Sequence, residues 1–256
     1  MTLLDILVMV LLPAVSAGFS FAMKANYLIS TLLFFGLPAL WCSLSARDRL
    51  GNVALFSLLF SFPFTLLVDY LGAFNGAWWI PHSLFPWRLF RIIPVESFFW
   101  GFLYVYAVII YYVHFLDKGK PVILATRMKY LLSLELLLLM IFFLTLWFKP
   151  SLLKIKFAYF WIGMILVFLP AFVFLSFYPE QIFKFFKCVA YFFYLTATFE
   201  YTALRLGQWF FPGEEFIGWI KFFGYRIPVE EVLFWFILSP MGILSYYKYF
   251  DDDENY

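Results

Sequence analysis

Glu96 and the pair Glu230-Glu231 each follow a Pro-Val dipeptide, and Asp69 and Glu200 each precede a tyrosine. All five carboxyls stand in or beside long apolar runs. An ionisable group there is costly and marks function. Two carboxyls crowded into an apolar site titrate apart, so one can keep its proton and act as an acid while the other acts as a base. Aromatics accompany both sets. Tyr70, Trp78 and Trp100 stand near the first, and Tyr201, Trp209 and Trp235 near the second. Ring faces stabilise a cation. The same aromatics also serve as an interfacial belt. Pro-Val-Glu reads equally as a helix start, where proline is preorganised and the helix dipole favours a carboxylate.

The elements that carry these groups must lie in lipid. Of 256 residues, 65% are hydrophobic and 13% charged, with a mean hydropathy of +0.90. A soluble domain has roughly 45–50% apolar and about 25% charged residues. An all-α integral membrane protein follows, multi-pass and placed in the cell membrane, with the lipid bilayer as its solvent. Spanning helices of about 20 residues are expected at about 2–20, 28–46, 53–74, 94–116, 129–148, 156–178, 185–205 and 228–249. Seven spans is the alternative count, because the first is the weakest. Met1 to about Ser20 reads as a retained span rather than a cleaved signal.

Other chemistries are disfavoured. A net charge of +2 without a basic stripe excludes nucleic acid. Cys42 and Cys188 lack metal-ligand spacing and read as core residues. His82 and His114 show no metal spacing, so no metal is expected. No glycine-rich dinucleotide or phosphate loop appears, so no cofactor is expected either. Glu135 reads as interfacial, and Arg91 and Arg226 as partners of the nearby glutamates or of lipid phosphate. The acidic stretch 251–254 reads as a solvated end.

The two halves match each other. Tyr27 and Pro38 correspond to Tyr159 and Pro170 at an offset of 132. Asp69-Tyr70, Gly76 and Trp78 correspond to Glu200-Tyr201, Gly207 and Trp209 at 131. Ile93-Pro94-Val95-Glu96 corresponds to Ile227-Pro228-Val229-Glu230 at 134. This predicts a tandem parallel 4+4 repeat, with halves at 1–120 and 121–256 and both Pro-Val-Glu elements at one membrane face.

The duplicated Pro-Val-Glu elements are followed by Phe98-Phe99-Trp100 and Phe234-Trp235, and preceded by an acidic-Tyr pair and a Gly-x-Trp. In this the chain resembles the integral-membrane lycopene cyclase domain family of carotenoid biosynthesis, in its fused two-half form. The resemblance covers about residues 27–120 and 156–250. It implies a redox-neutral isomerisation that closes the acyclic ends of lycopene to β-rings without a cofactor. An acid protonates the terminal double bond, an internal double bond attacks the cation, and a base removes a proton. Glu230 and Glu96 would be the leading acid/base candidates, either one giving the proton, with Glu231 next and Asp69 and Glu200 as partners. Tyr70, Trp78, Trp100, Tyr201, Trp209 and Trp235 would line the substrate. Lycopene or a related carotenoid, and other carotenoid-pathway enzymes, are the implied partners. The alternatives are a cyclase of longer, C50-type carotenoids or of ε- or γ-rings, and a non-enzymatic carrier or binder of a hydrophobic small molecule.

Overall fold

A computed structural model describes residues 2–117 and 127–250. The expected 120/121 boundary and the acidic stretch 251–254 lie outside the described residues. The protein is mainly helical, and among the described residues seven helices are long and apolar enough to cross a membrane. They are α1 (Leu3–Met23), α2 (Tyr27–Leu44), α3 (Arg47–Phe74), α4 (Glu96–Phe115), α5 (Met128–Phe148), α6 (Ala158–Phe177) and α7 (Pro179–Arg205). An eighth helical rod, α8, covers 231–250. It begins as a π-helix over Glu231–Leu238 and continues as an α-helix over Ser239–Phe250. The outer surface is apolar: Trp147 is 83% exposed and Phe183 76%. Contiguous bare aromatics of this kind suit lipid rather than water.

Sequence chemistry sets the helix details. Thr2 and Asp5 form a capping box that starts α1. In α2 and α6 a π-helical turn, Leu32–Gly36 and Met164–Phe168, comes directly before Leu37-Pro38 and Leu169-Pro170. Proline has no N–H and its ring displaces the carbonyl four residues back. A widened π turn takes up that displacement. Cys42 and Cys188 are free and buried, as expected.

The all-α expectation needs one correction. Two antiparallel hairpins precede α4 and α8: β1 (Arg88–Leu89) with β2 (Ile93–Pro94), and β3 (Trp219–Phe222) with β4 (Tyr225–Pro228). Their turns use positive φ at Phe90 and Arg91, and at Phe223 and Gly224. Two such residues in succession make the primed turn that matches strand twist. Only one of the four is glycine, which is why the signal was faint. Each hairpin delivers its Pro-Val-Glu to a helix start. The series of helix, π-turned helix, long helix, hairpin and helix thus occurs twice along the chain.

The loops before the hairpins join across the molecule. Trp79 N–H donates to the Phe210 carbonyl at 2.9 Å, and Phe210 N–H donates to the Trp79 carbonyl at 3.1 Å. Gly213 N–H donates to the Gly76 carbonyl at 2.9 Å. A Cβ at Gly213 would come within 2.7 Å of that carbonyl oxygen, so only glycine permits the approach.

Candidate active site

A cavity of about 170 Å³ opens among α3, α4, α6 and α8. Glu231 and Tyr246 both line it, and they stand 15 positions apart on α8. At 1.5 Å per residue that is about 20 Å, so the cavity is a long, thin slot. An apolar cavity of about 150 Å³ holds one benzene-sized guest. The slot therefore suits a slender apolar group. Its walls are aromatic. Trp100 and Trp235 lie 4.9 Å apart by ring centroids, and Tyr104 lies 4.2 Å from Trp235. The Tyr104 hydroxyl is tied to Ser239.

Two carboxyls from different parts of the chain reach the slot: Asp69 near the end of α3 and Glu231 at the start of α8. They are 7% and 6% exposed. Tyr159 O–H donates to Glu231 Oε2 at 2.6 Å. Behind it lies Glu200, fully buried, whose Oε1 accepts from Trp209 Nε1 at 3.0 Å. Among the described residues Glu200 Oε2 meets no N–H or hydroxyl donor, and the neighbour left to it is the Glu231 carboxyl. An ionised carboxylate only accepts, so a stable contact between the two needs a proton on one of them. Asp69 has a different setting. Ser97 and Trp78 flank it, and both carry donors. Tyr27 stands beside Ser97. The two sets also interlock. Tyr27 meets Trp209 edge-on at 5.7 Å, and Tyr159 meets Trp78 edge-on at 5.1 Å.

The two leading candidates from the sequence have other work. Glu96, 1% exposed, accepts from Ser83 Oγ at 2.7 Å, from Phe85 N–H at 3.3 Å and from Leu84 N–H. Glu230 Oε1 accepts from Ile217 N–H at 2.7 Å. Both pin the loop before their own hairpin, and neither lines the slot. Removing a carboxylate in this position leaves part-buried donors without their partner, at a cost of about 1 kcal/mol. Glu96→Ala is therefore expected to lower thermal stability and to speed amide exchange at Leu84 and Phe85. Glu230→Ala, which frees a single N–H, is expected to lower stability less. Equal melting temperatures for Glu96→Ala and wild type would refute the pinning role.

The structure brings Trp78, Trp100, Trp209 and Trp235 to the slot. It does not bring Tyr70 or Tyr201. Tyr70 packs on Phe74 and Phe142, and Tyr201 on Phe21 and Phe223. Each follows its acidic neighbour by one position, and one step along a helix turns a side chain about 100° away. Tyr27, Tyr104 and Tyr159 were given no site role from the sequence, yet all three line the slot. The matched pair Tyr27 and Tyr159 was the available signal. Arg226 lies over the Trp219 ring at 4.8 Å. Glu135, expected at the interface, is 8% exposed. Among the described residues no cluster of His, Cys, Asp or Glu could hold a metal ion.

No protein-family model, no curated protein and no solved structure matches the chain.

Proposed function

We propose that the chain is a membrane-embedded carotenoid cyclase that closes the acyclic end of lycopene to a β-ring. The observation that carries this reading is the slot, where two carboxyls face one apolar, aromatic-walled space. In this reading Glu231 gives its proton to the terminal double bond, and the Glu200–Glu231 pair is the proton store. The resulting tertiary cation lies among Trp100, Trp235 and Tyr104, whose ring faces attract positive charge. The internal double bond attacks the cation, forming the ring bond and moving the charge to the next carbon. Asp69 takes a proton from the carbon beside that charge, and the electron pair left behind becomes the ring double bond. One proton is gained and one lost, so the reaction is an isomerisation. Dry walls matter, because water would trap the cation as an alcohol.

The same reading takes the bundle as eight spans in a parallel 4+4 repeat, with α8 as the eighth. Reciprocal contacts support the duplication. Trp79 and Phe210, counterparts at the offset of 131, exchange both backbone hydrogen bonds. Tyr27 meets Trp209 just as Tyr159 meets Trp78. Residue i meeting j while j's counterpart meets i's is the rule of twofold symmetry.

Expression in bacteria that make lycopene, followed by chromatography of the pigments, tests the activity. β-Carotene or the one-ring product is the expected result. Unchanged lycopene, with the protein folded in the membrane, would overturn the reading for lycopene. A trial with longer carotenoids would then decide between another cyclase and a carrier.

A further inference from the structure

A duplicated bundle should contain two equivalent slots, one for each half. The open slot is lined by Ser61 and Val68 of α3, Gly101 of α4, and Leu166 and Val167 in the π turn of α6. The offsets that align the halves give each a counterpart: Phe192, Phe199, Trp235, Phe34 and Phe35. At these five places a small or aliphatic residue in the open slot faces an aromatic in its twin, whereas Phe64 and Tyr104 of the open slot correspond to Leu195 and Leu238.

Those aromatics fill the twin. Phe34, Phe35, Phe192 and Phe199 are fully buried, and Trp235 is 9% exposed. Four of them touch: Phe34 lies 5.2 Å from Phe199, Phe35 lies 4.9 Å from Phe199, and Phe35 lies 6.4 Å from Trp235, while Phe192 packs on Tyr104 at 6.0 Å. Phe199 and Trp235 form a shared wall, since each also shows an edge to the open slot. The acid is missing from the twin as well. Ser97 stands at the counterpart of Glu231, which leaves the twin with Glu200 alone. Interiors are close-packed unless function keeps space open. Here one copy of the space follows that rule and the other does not.

We propose that the duplication has kept one working slot and retired the other. Phe34, Phe35 and Phe199 act as the plug, and Val68, Leu166 and Val167 as the residues that keep the working slot open. This inference rests on the repeat described above. It makes a chain with one polyene site, whatever reaction that site performs. A substrate with two identical ends must then leave and return turned around, so a one-ended product is released between the two steps.

Native mass spectrometry of the purified protein with all-trans-retinol counts polyenes bound per chain. One is expected for wild type. Val68→Phe, which copies the twin's residue into the open slot, is expected to weaken binding at least tenfold. Phe35→Val with Phe199→Val is expected to add a second bound retinol. If that double variant does not fold, the wild-type and Val68→Phe counts still decide. Two retinols or none on wild type, or full binding by Val68→Phe, would overturn the inference. The count is separate from activity. One bound retinol with no ring closure from lycopene would sink the lycopene-cyclase reading and keep the single slot. Ring closure with two bound would do the reverse.

Discussion

Glu231→Gln is expected to lower ring closure by about 10²- to 10⁴-fold, the range that a positioned acid contributes. Glutamine keeps the shape and still accepts from Tyr159, but it has no proton to give. The variant is expected to accumulate in the membrane at the wild-type level, because Tyr159 and Trp209 keep their partners. The informative comparison is with Glu230→Gln, one residue away. Glu230 turns from the slot to the Ile217 N–H, which a glutamine oxygen still accepts, so its variant is expected to keep both stability and rate. The measurement is the initial rate of lycopene loss in isolated membranes, divided by the amount of protein. A dead Glu230→Gln beside a Glu231→Gln within a few-fold of wild type would move the acid to Glu230 and break the geometric assignment.

This contrast shows where the sequence stopped being readable. Spans are a property of composition, and seven of the eight expected were met as helices long and apolar enough to cross a membrane. The carboxyls were legible too, because an acid in an apolar run is conspicuous. Their ranking was not. Glu230 and Glu231 are adjacent in the chain, and both follow the same proline. Only the hairpin geometry decides that Glu230 meets its own loop while Glu231 turns to Tyr159 and the slot. The hairpins were hidden for a related reason. Phe90 and Arg91 are poor predictors of positive φ, and the loop pairing imposes it. Tyr70 and Tyr201 follow their carboxyls by one position, and on a helix such neighbours point to different faces. The five size exchanges behind the plugged twin were in the sequence throughout. They had no meaning until the open slot showed which positions to compare.

Asp69→Asn should separate the two halves of the reaction. Asparagine cannot take the last proton, so ring closure is expected to fall by about 10²- to 10⁴-fold, as for a lost base. Glu231 still protonates the terminal double bond in this variant. The cation has no route forward, so the ring reopens and the proton is returned. In deuterated water Glu231 delivers a deuteron, so the inner carbon of the terminal double bond holds one hydrogen and one deuterium while the cation lasts. Rotation of the cation can present the original hydrogen for removal, so lycopene recovered from Asp69→Asn is expected to carry deuterium at that carbon, read by mass spectrometry, although no ring accumulates. Glu231→Gln is expected to give lycopene with neither rings nor deuterium. The pair of results distinguishes an acid from a base even though both variants are slow. Deuterium in Glu231→Gln with none in Asp69→Asn would exchange the two roles. The reason to expect the stated order is local. Glu231 has a second carboxyl behind it that can hold a proton for it, whereas Asp69 is flanked by the hydroxyl of Ser97 and the indole N–H of Trp78. A carboxyl backed by another carboxyl is supplied with protons, and one surrounded by donors is ready to receive.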